Sequence, residues 1–167
     1  MDFLKNLEDL TKLYEDLIAV MELEREALIG ADLAALTQQN LAKENILFKI
    51  RASEKKRQLM AMAFAKDKGV PTTDVRLLAL ADRCEFLGEK QLALQMRTRH
   101  ALLQMQVERA AELNKENEIY ASSALRILQG AVKDITQSVT EKPTYGKRGQ
   151  MAGSSETQAG NFIKREA

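Results

Sequence analysis

A chain of 167 residues is long enough for one domain with a core, and 45% hydrophobic with 29% charged residues excludes both a disordered and a membrane-embedded polymer. Aromatics make up only 5%, Trp is absent, and the apolar positions are mostly Leu, Ala, Met and Ile, an alphabet that suits helices better than sheets. The 25 basic and 24 acidic residues leave a net charge of +1, so no overall field draws the protein to nucleic acid or anionic lipid.

From Phe3 the apolar residues fall on one helix face, at Phe3, Leu7, Leu10, Tyr14, Leu17, Met21 and Leu28, with Glu24 in the single skipped slot. The pattern stops at Gly30-Ala31-Asp32, where Gly30 suits a left-handed helix end and Asp32 can accept N–H bonds from the next helix. A second helix is predicted over about 33–67, with Leu33, Leu36, Leu47, Ile50, Ala61 and Phe64 on its seam and Asn40, Lys43, Glu54 and Arg57 interrupting it. It ends at KDKGVPTTD, where Gly69 stops the helix, Pro71 cannot continue it, and Thr72, Thr73 or Asp74 can cap the next one.

A short helix then precedes a long one reaching about Val139, and the sequence leaves open whether the chain breaks near Asp82 or Gly88. The seam of this stretch reads Phe86, Ala93, Met96, His100, Leu103, Val107, Ala110, Asn114, Asn117, Ala121, Ala124, Leu128, Ala131 and Ile135. Beyond Thr140 the composition shifts to Gly, Ser, Thr, Gln and Lys, which cannot bury enough apolar surface to offset ordering entropy. The expectation is an all-α fold: an elongated antiparallel helical hairpin or bundle over 1–139 with one long C-terminal helix, and a flexible tail over 140–167.

Catalysis would need convergent polar groups, and the chain has one His, His100 on a helix seam, and one Cys, Cys84. No zinc-type cluster can be built from these, no carboxylates surround a glycine loop, and GKRGQMAG neither follows a strand nor opens a helix as a phosphate cradle must. No enzyme, metal or cofactor is expected. The basic clusters Lys55-Lys56-Arg57, Arg97 with Arg99 and His100, and Lys147-Arg148 lie near acids and read as solvated faces rather than a nucleic-acid surface. A lone thiol is compatible with a reducing compartment, and the absence of a signal-peptide or spanning apolar run points to the cytoplasm.

Three features suit a binding protein. The long seam is thin at Ala110, Ala121 and Ala124 and polar at Asn114 and Asn117, which fits either register specification or room for an incoming helix or for dimer packing. Its end carries Leu125, Ile127, Leu128, Val132, Ile135 and Val139 over more than one stripe, which asks for burial by the first helix, by a dimer mate, or by a partner helix in a groove. The tail places Tyr145 before Gly146, a large contact residue succeeded by a backbone free to turn.

Pro143-Thr144-Tyr145-Gly146-Lys147-Arg148-Gly149-Gln150 resembles the tail signature of the FlgN family of flagellar type III export chaperones, Tyr-Gly, two variable residues, then Gly-Gln. Fainter matches are Glu24 with Leu28, Lys43 with Leu47 and Arg57, and the Asn114-x-x-Asn117 pair, so that the organisation is similar from residue 1 to about 150. The resemblance implies a cytoplasmic chaperone that binds the C-terminal helices of the hook-associated proteins FlgK and FlgL through the end of the long helix. It also implies docking to the export gate FlhA through Tyr145, Gly146, Gly149 and Gln150, and contacts with the export ATPase complex. Membrane insertion is not expected, a homodimer is left open, and the rival reading is a structural coiled-coil dimerisation protein without a client.

Overall fold

The computed structural model describes residues 2–71 and 75–140, with side chains as far as residue 138. Four helices succeed one another: α1, Asp2–Ile29; α2, Leu33–Asp67; α3, Leu77–Phe86; and α4, Lys90–Thr140. The class is all-α with a long final helix, and among the described residues there is no strand. The chain divides into two units, residues 1–125 and 126–167, and every buried residue described lies in the first.

In α1 the three-and-four spacing does what helical geometry requires, burying Phe3, Leu7, Leu10, Leu17 and Met21 and half-burying Tyr14 and Leu28. The turn after α1 differs from the sequence expectation in one respect. Gly30 keeps a helix-like bond from its N–H to the Glu26 carbonyl, and it is Ala31 that adopts the left-handed conformation, with φ of 51°. Asp32 caps α2 as expected, its Oδ1 accepting from the Ala35 N–H at 2.9 Å. A Cβ-bearing residue in that left-handed region costs on the order of 1 kcal/mol. Ala31→Gly is therefore expected to raise stability by about 0.5 kcal/mol net of the extra freedom given to the unfolded chain, measurable by urea titration.

The seam of α2 is sparse: Ile50, Ala61 and Ala65 are buried, whereas Leu33 is 76% exposed and Leu36, Leu47 and Phe64 are half-buried. The helix stops as predicted at Gly69, whose φ of 67° disfavours a side chain, and Val70 N–H closes the end on the Ala65 carbonyl at 2.8 Å. Thr72, Thr73 and Asp74, expected as caps, lie outside the described residues. The N-cap position of α3 belongs to Arg76, which makes no side-chain capping bond.

The break left open between Asp82 and Gly88 falls at Gly88, with φ of 86° and the Glu89 N–H returning to the Cys84 carbonyl at 2.8 Å. Phe86 therefore ends α3 instead of starting the long seam; it is 79% exposed, with the Arg83 guanidinium 5.2 Å from its ring centre.

The core forms two clusters. One gathers Phe3 and Leu7 with Ala61, Ala65, Leu80, Cys84 and Met96, so α3 closes one end of the helical unit, and Phe3 stacks on Phe64 at 5.8 Å. The other joins Leu10, Leu17 and Met21 to Ile50, Ala110 and Leu113, and Leu103 packs against both. Alanines at 61, 65, 81 and 93 let the backbones approach where larger side chains would hold them apart.

Near that first cluster Lys68 donates to Glu89 Oε1 at 2.6 Å, tying the end of α2 to the residue before α4. Three groups here and alongside shift the same way. Burial, then the charge of Glu89, pushes the Cys84 thiol up from its ordinary 9.0. Burial, then Glu54, raises the Tyr14 phenol from 10.0, and the bond to Glu89 raises Lys68 from 10.5. In each case the folded chain keeps a proton that the unfolded chain releases, so stability contributed by these groups is present below the unfolded pKa and lost above it. Urea midpoints are thus expected to fall progressively as pH rises beyond about 9, the ordinary thiol value, and Cys84 should resist thiol reagents until the unit unfolds.

Candidate functional site

The end of α4 presents exposed apolar side chains. Leu125, Ile127, Leu128, Val132 and Ile135 are 57–69% exposed, and no described side chain from 125 to 138 is buried. At about 100° per residue, Leu125, Leu128, Val132 and Ile135 fall within an arc of roughly 80°, whereas Ile127 stands about 80° beyond the nearer edge of that arc. By that rotation Leu125, Leu128, Val132 and Ile135 share one stripe and Ile127 lies beside it. Helix periodicity would place Val139 on the same stripe, but its side chain lies outside the described residues. Within this segment Thr136 and Ser138 turn their hydroxyls back to the Val132 and Ile135 carbonyls, leaving the helix to present its aliphatic side chains.

The second arrangement lies in the first unit, where the residues that interrupted three separate stripes meet. Glu24 of α1, only 7% exposed, accepts from Lys43 Nζ of α2 at 3.0 and 2.8 Å. Asn117 of α4, also buried, donates to Glu24 Oε2 at 3.0 Å and to the Met21 carbonyl at 2.8 Å. Arg25 Nε reaches Asn117 Oδ1 at 3.4 Å, while its guanidinium pairs with Glu116 and lies 6.0 Å from the Tyr120 ring centre. A carboxylate, an ammonium and an amide thus satisfy one another across three helices.

Asn114 takes no part: it is exposed, and Leu113 fills the core position beside Ala110. The seam therefore steps 110, 113, 117, a spacing equally allowed by the helical period, because burying Leu113 gains apolar contact that an Asn side chain cannot supply. Arg25, Glu116 and Tyr120 are members of the network that no periodicity signalled.

A groove of about 930 Å³ opens between the helices of the first unit, with Leu10, Leu103 and Val107 as apolar lining and Tyr14, Arg57 and His100 as polar lining. Arg57 is neutralised by Glu54 of its own helix, at 2.6–3.0 Å. Cys84 is fully buried in the core and is not among the lining residues. Among the described residues no group of three or more His, Cys, Asp or Glu could hold a metal ion, and no helix is long and apolar enough to cross a membrane. Tyr145, Gly146, Gly149 and Gln150 lie outside the described residues.

The model of the FlgN protein family matches residues 1–153, nearly the whole chain and including the Tyr-Gly-x-x-Gly-Gln stretch. The chain belongs to the FlgN family. No curated protein and no solved structure matches it. FlgN proteins are flagellar export chaperones, a family of binding proteins and not of enzymes. The chemistry asked of this FlgN protein is then recognition of a flagellar protein. Its described residues present two arrangements, the exposed aliphatic stripe of α4 and the Glu24–Lys43–Asn117 crossing that joins α1, α2 and α4.

Proposed function

We propose that this FlgN protein holds the C-terminal helices of the hook-associated proteins FlgK and FlgL against the stripe Leu125, Leu128, Val132 and Ile135, extended by Val139 and flanked by Ile127. The observation that carries the reading is the continuous aliphatic spacing of these residues on a helix whose described side chains from 125 to 138 are all exposed or half-buried. An amphipathic client helix laid along it would bury apolar surface on both chains. At about 25 cal/mol per Å², some 400 Å² corresponds to about 10 kcal/mol before the entropy of association, so a modest stripe suffices.

The tail is the second half of the proposal. Residues 140–167 act as an arm separate from the helical domain 1–139, and Tyr145 with Gly146, Gly149 and Gln150 docks to FlhA at the type III export gate in the cytoplasm. Contacts with the export ATPase complex come after delivery of the client. Separating the client surface from the docking residues along the chain lets both partners be engaged together, the condition for handing one to the other.

The test is a chain ending at Thr140, purified beside the full-length protein and offered FlgK, FlgL and the cytoplasmic domain of FlhA. Client capture is expected to persist and FlhA binding to fall to background. Retention of FlhA binding would remove the tail from the docking role, and loss of client capture from both proteins would remove the chaperone assignment to these clients.

A further inference from the structure

The outward face of α2 carries a second seam. Its inner side buries Ile50, Ala61 and Ala65, while Leu41, Phe48 and Leu59, about half a turn round, are 58%, 71% and 61% exposed. With Asn45, Ala52, Lys55 and Met62 between and beyond them, also exposed, they alternate steps of four and three from residue 41 to residue 62. Scattered exposed hydrophobes are ordinary on any surface. Three large ones in a single helix–helix register, interrupted by Asn45 and Lys55, make the pattern of a seam lacking its partner helix.

Charge says what that partner is. The helix has seven basic residues against three acidic ones. The inner bases Lys43 and Arg57 take Glu24 and Glu54. Lys49, Arg51, Lys55, Lys56 and Lys66 are exposed and enter no ion pair among the described residues. By helical rotation Lys49 and Lys56 border the seam on one side and Arg51 on the other, with Lys55 within it.

We propose that this face of α2 docks an acidic amphipathic helix of a partner protein, its apolar seam against Leu41, Phe48 and Leu59 and its carboxylates against Lys49, Arg51, Lys55 and Lys56. A second copy pairing through the same face would set basic flank against basic flank, a like-charge opposition that disfavours it. A membrane surface fits less well, because Asn45 and Lys55 cut the apolar band to a width that cannot submerge in lipid. The site is distinct from the stripe on α4 and does not depend on the client assigned there.

Fluorescence anisotropy with the full-length chain tests this, the probe being a labelled synthetic helix with Leu at its seam positions and Glu flanking them. Saturable binding that weakens with salt is expected. Phe48→Ser and, separately, Arg51→Glu with Lys55→Glu should each weaken it about tenfold or more, equivalent to about 1.4 kcal/mol. All three positions are exposed, so circular dichroism melts should match those of the parent chain. Leu128→Asp with Ile135→Asp should leave probe binding unchanged. Equal binding of the α2 variants, equal binding of a Lys-flanked probe, or absence of probe binding would overturn the proposal. So would Phe48-dependent adsorption to phosphatidylglycerol vesicles without probe binding, or a Phe48-dependent dimer in sedimentation equilibrium.

Discussion

Leu128→Asp combined with Ile135→Asp is expected to weaken capture of a FlgK or FlgL C-terminal segment by at least about 100-fold while leaving the melting of the helical unit unchanged. Both side chains are more than 60% exposed in the free chain, so replacing them opens no cavity and buries no charge there. The cost appears only in the complex. There each position loses roughly 1.5–3 kcal/mol of apolar burial, and a carboxylate held against a client's apolar face adds its own desolvation penalty. Even the lower figure taken twice corresponds to more than a hundredfold in affinity. Titration calorimetry with the client segment reads the affinity, and circular dichroism reads the fold. Parent-like affinity in the double variant would place the client elsewhere. Ile127→Asp supplies the internal comparison: lying off the stripe, it should cost at most about tenfold.

Glu24→Ala is expected to destabilise the helical unit by about 2–3 kcal/mol, lowering the melting temperature by several degrees. The lost carboxylate accepts three hydrogen bonds, two from Lys43 and one from Asn117, at a position 7% exposed. Its removal leaves the Lys43 ammonium without its partner in a half-buried site and one Asn117 proton unpaired. Because the Lys43 side chain remains 20% exposed, water can recover part of its solvation, which keeps the cost below that of a fully buried pair. Replacing Glu24, Lys43 and Asn117 together by Leu should behave oppositely, restoring stability to within about 1 kcal/mol of the parent or above it. The triple variant separates stability from specificity. If the network sets the register of α1 against α2 and α4, amide exchange in that variant should show looser protection near residues 20–45 despite an undiminished melting temperature. Unaltered protection would show that apolar packing alone sets the register.

The polar crossing and the α4 stripe both lie on helical seams, the first as polar interruptions of an apolar spacing and the second as its regular continuation. Their outcomes differ because Glu24, Lys43 and Asn117 have complementary groups within reach across three helices, whereas Leu128, Val132 and Ile135 have no described side chain covering them. Nothing in one helix's periodicity separates these cases. A polar residue in a stripe reads the same whether it is buried and paired, as Asn117 is, or exposed, as Asn114 is.

By itself, then, the sequence determined the four helical segments and their class, since these rest on local spacing and on Gly30, Asp32, Gly69 and Pro71, whose effects act within a few residues. It also carried the family through the Tyr145 stretch and the matched span 1–153. Tertiary structure decided the rest. It fixed the break at Gly88 and the left-handed turn at Ala31, positions that the local pattern leaves open or assigns to the neighbouring Gly30. It chose Leu113 over Asn114 for the core, and it joined Glu24 to Lys43 and Asn117, residues 19 and 93 positions away. Such contacts form only when whole helices pack, because charge pairing and burial depend on distances through space that a one-dimensional pattern does not contain.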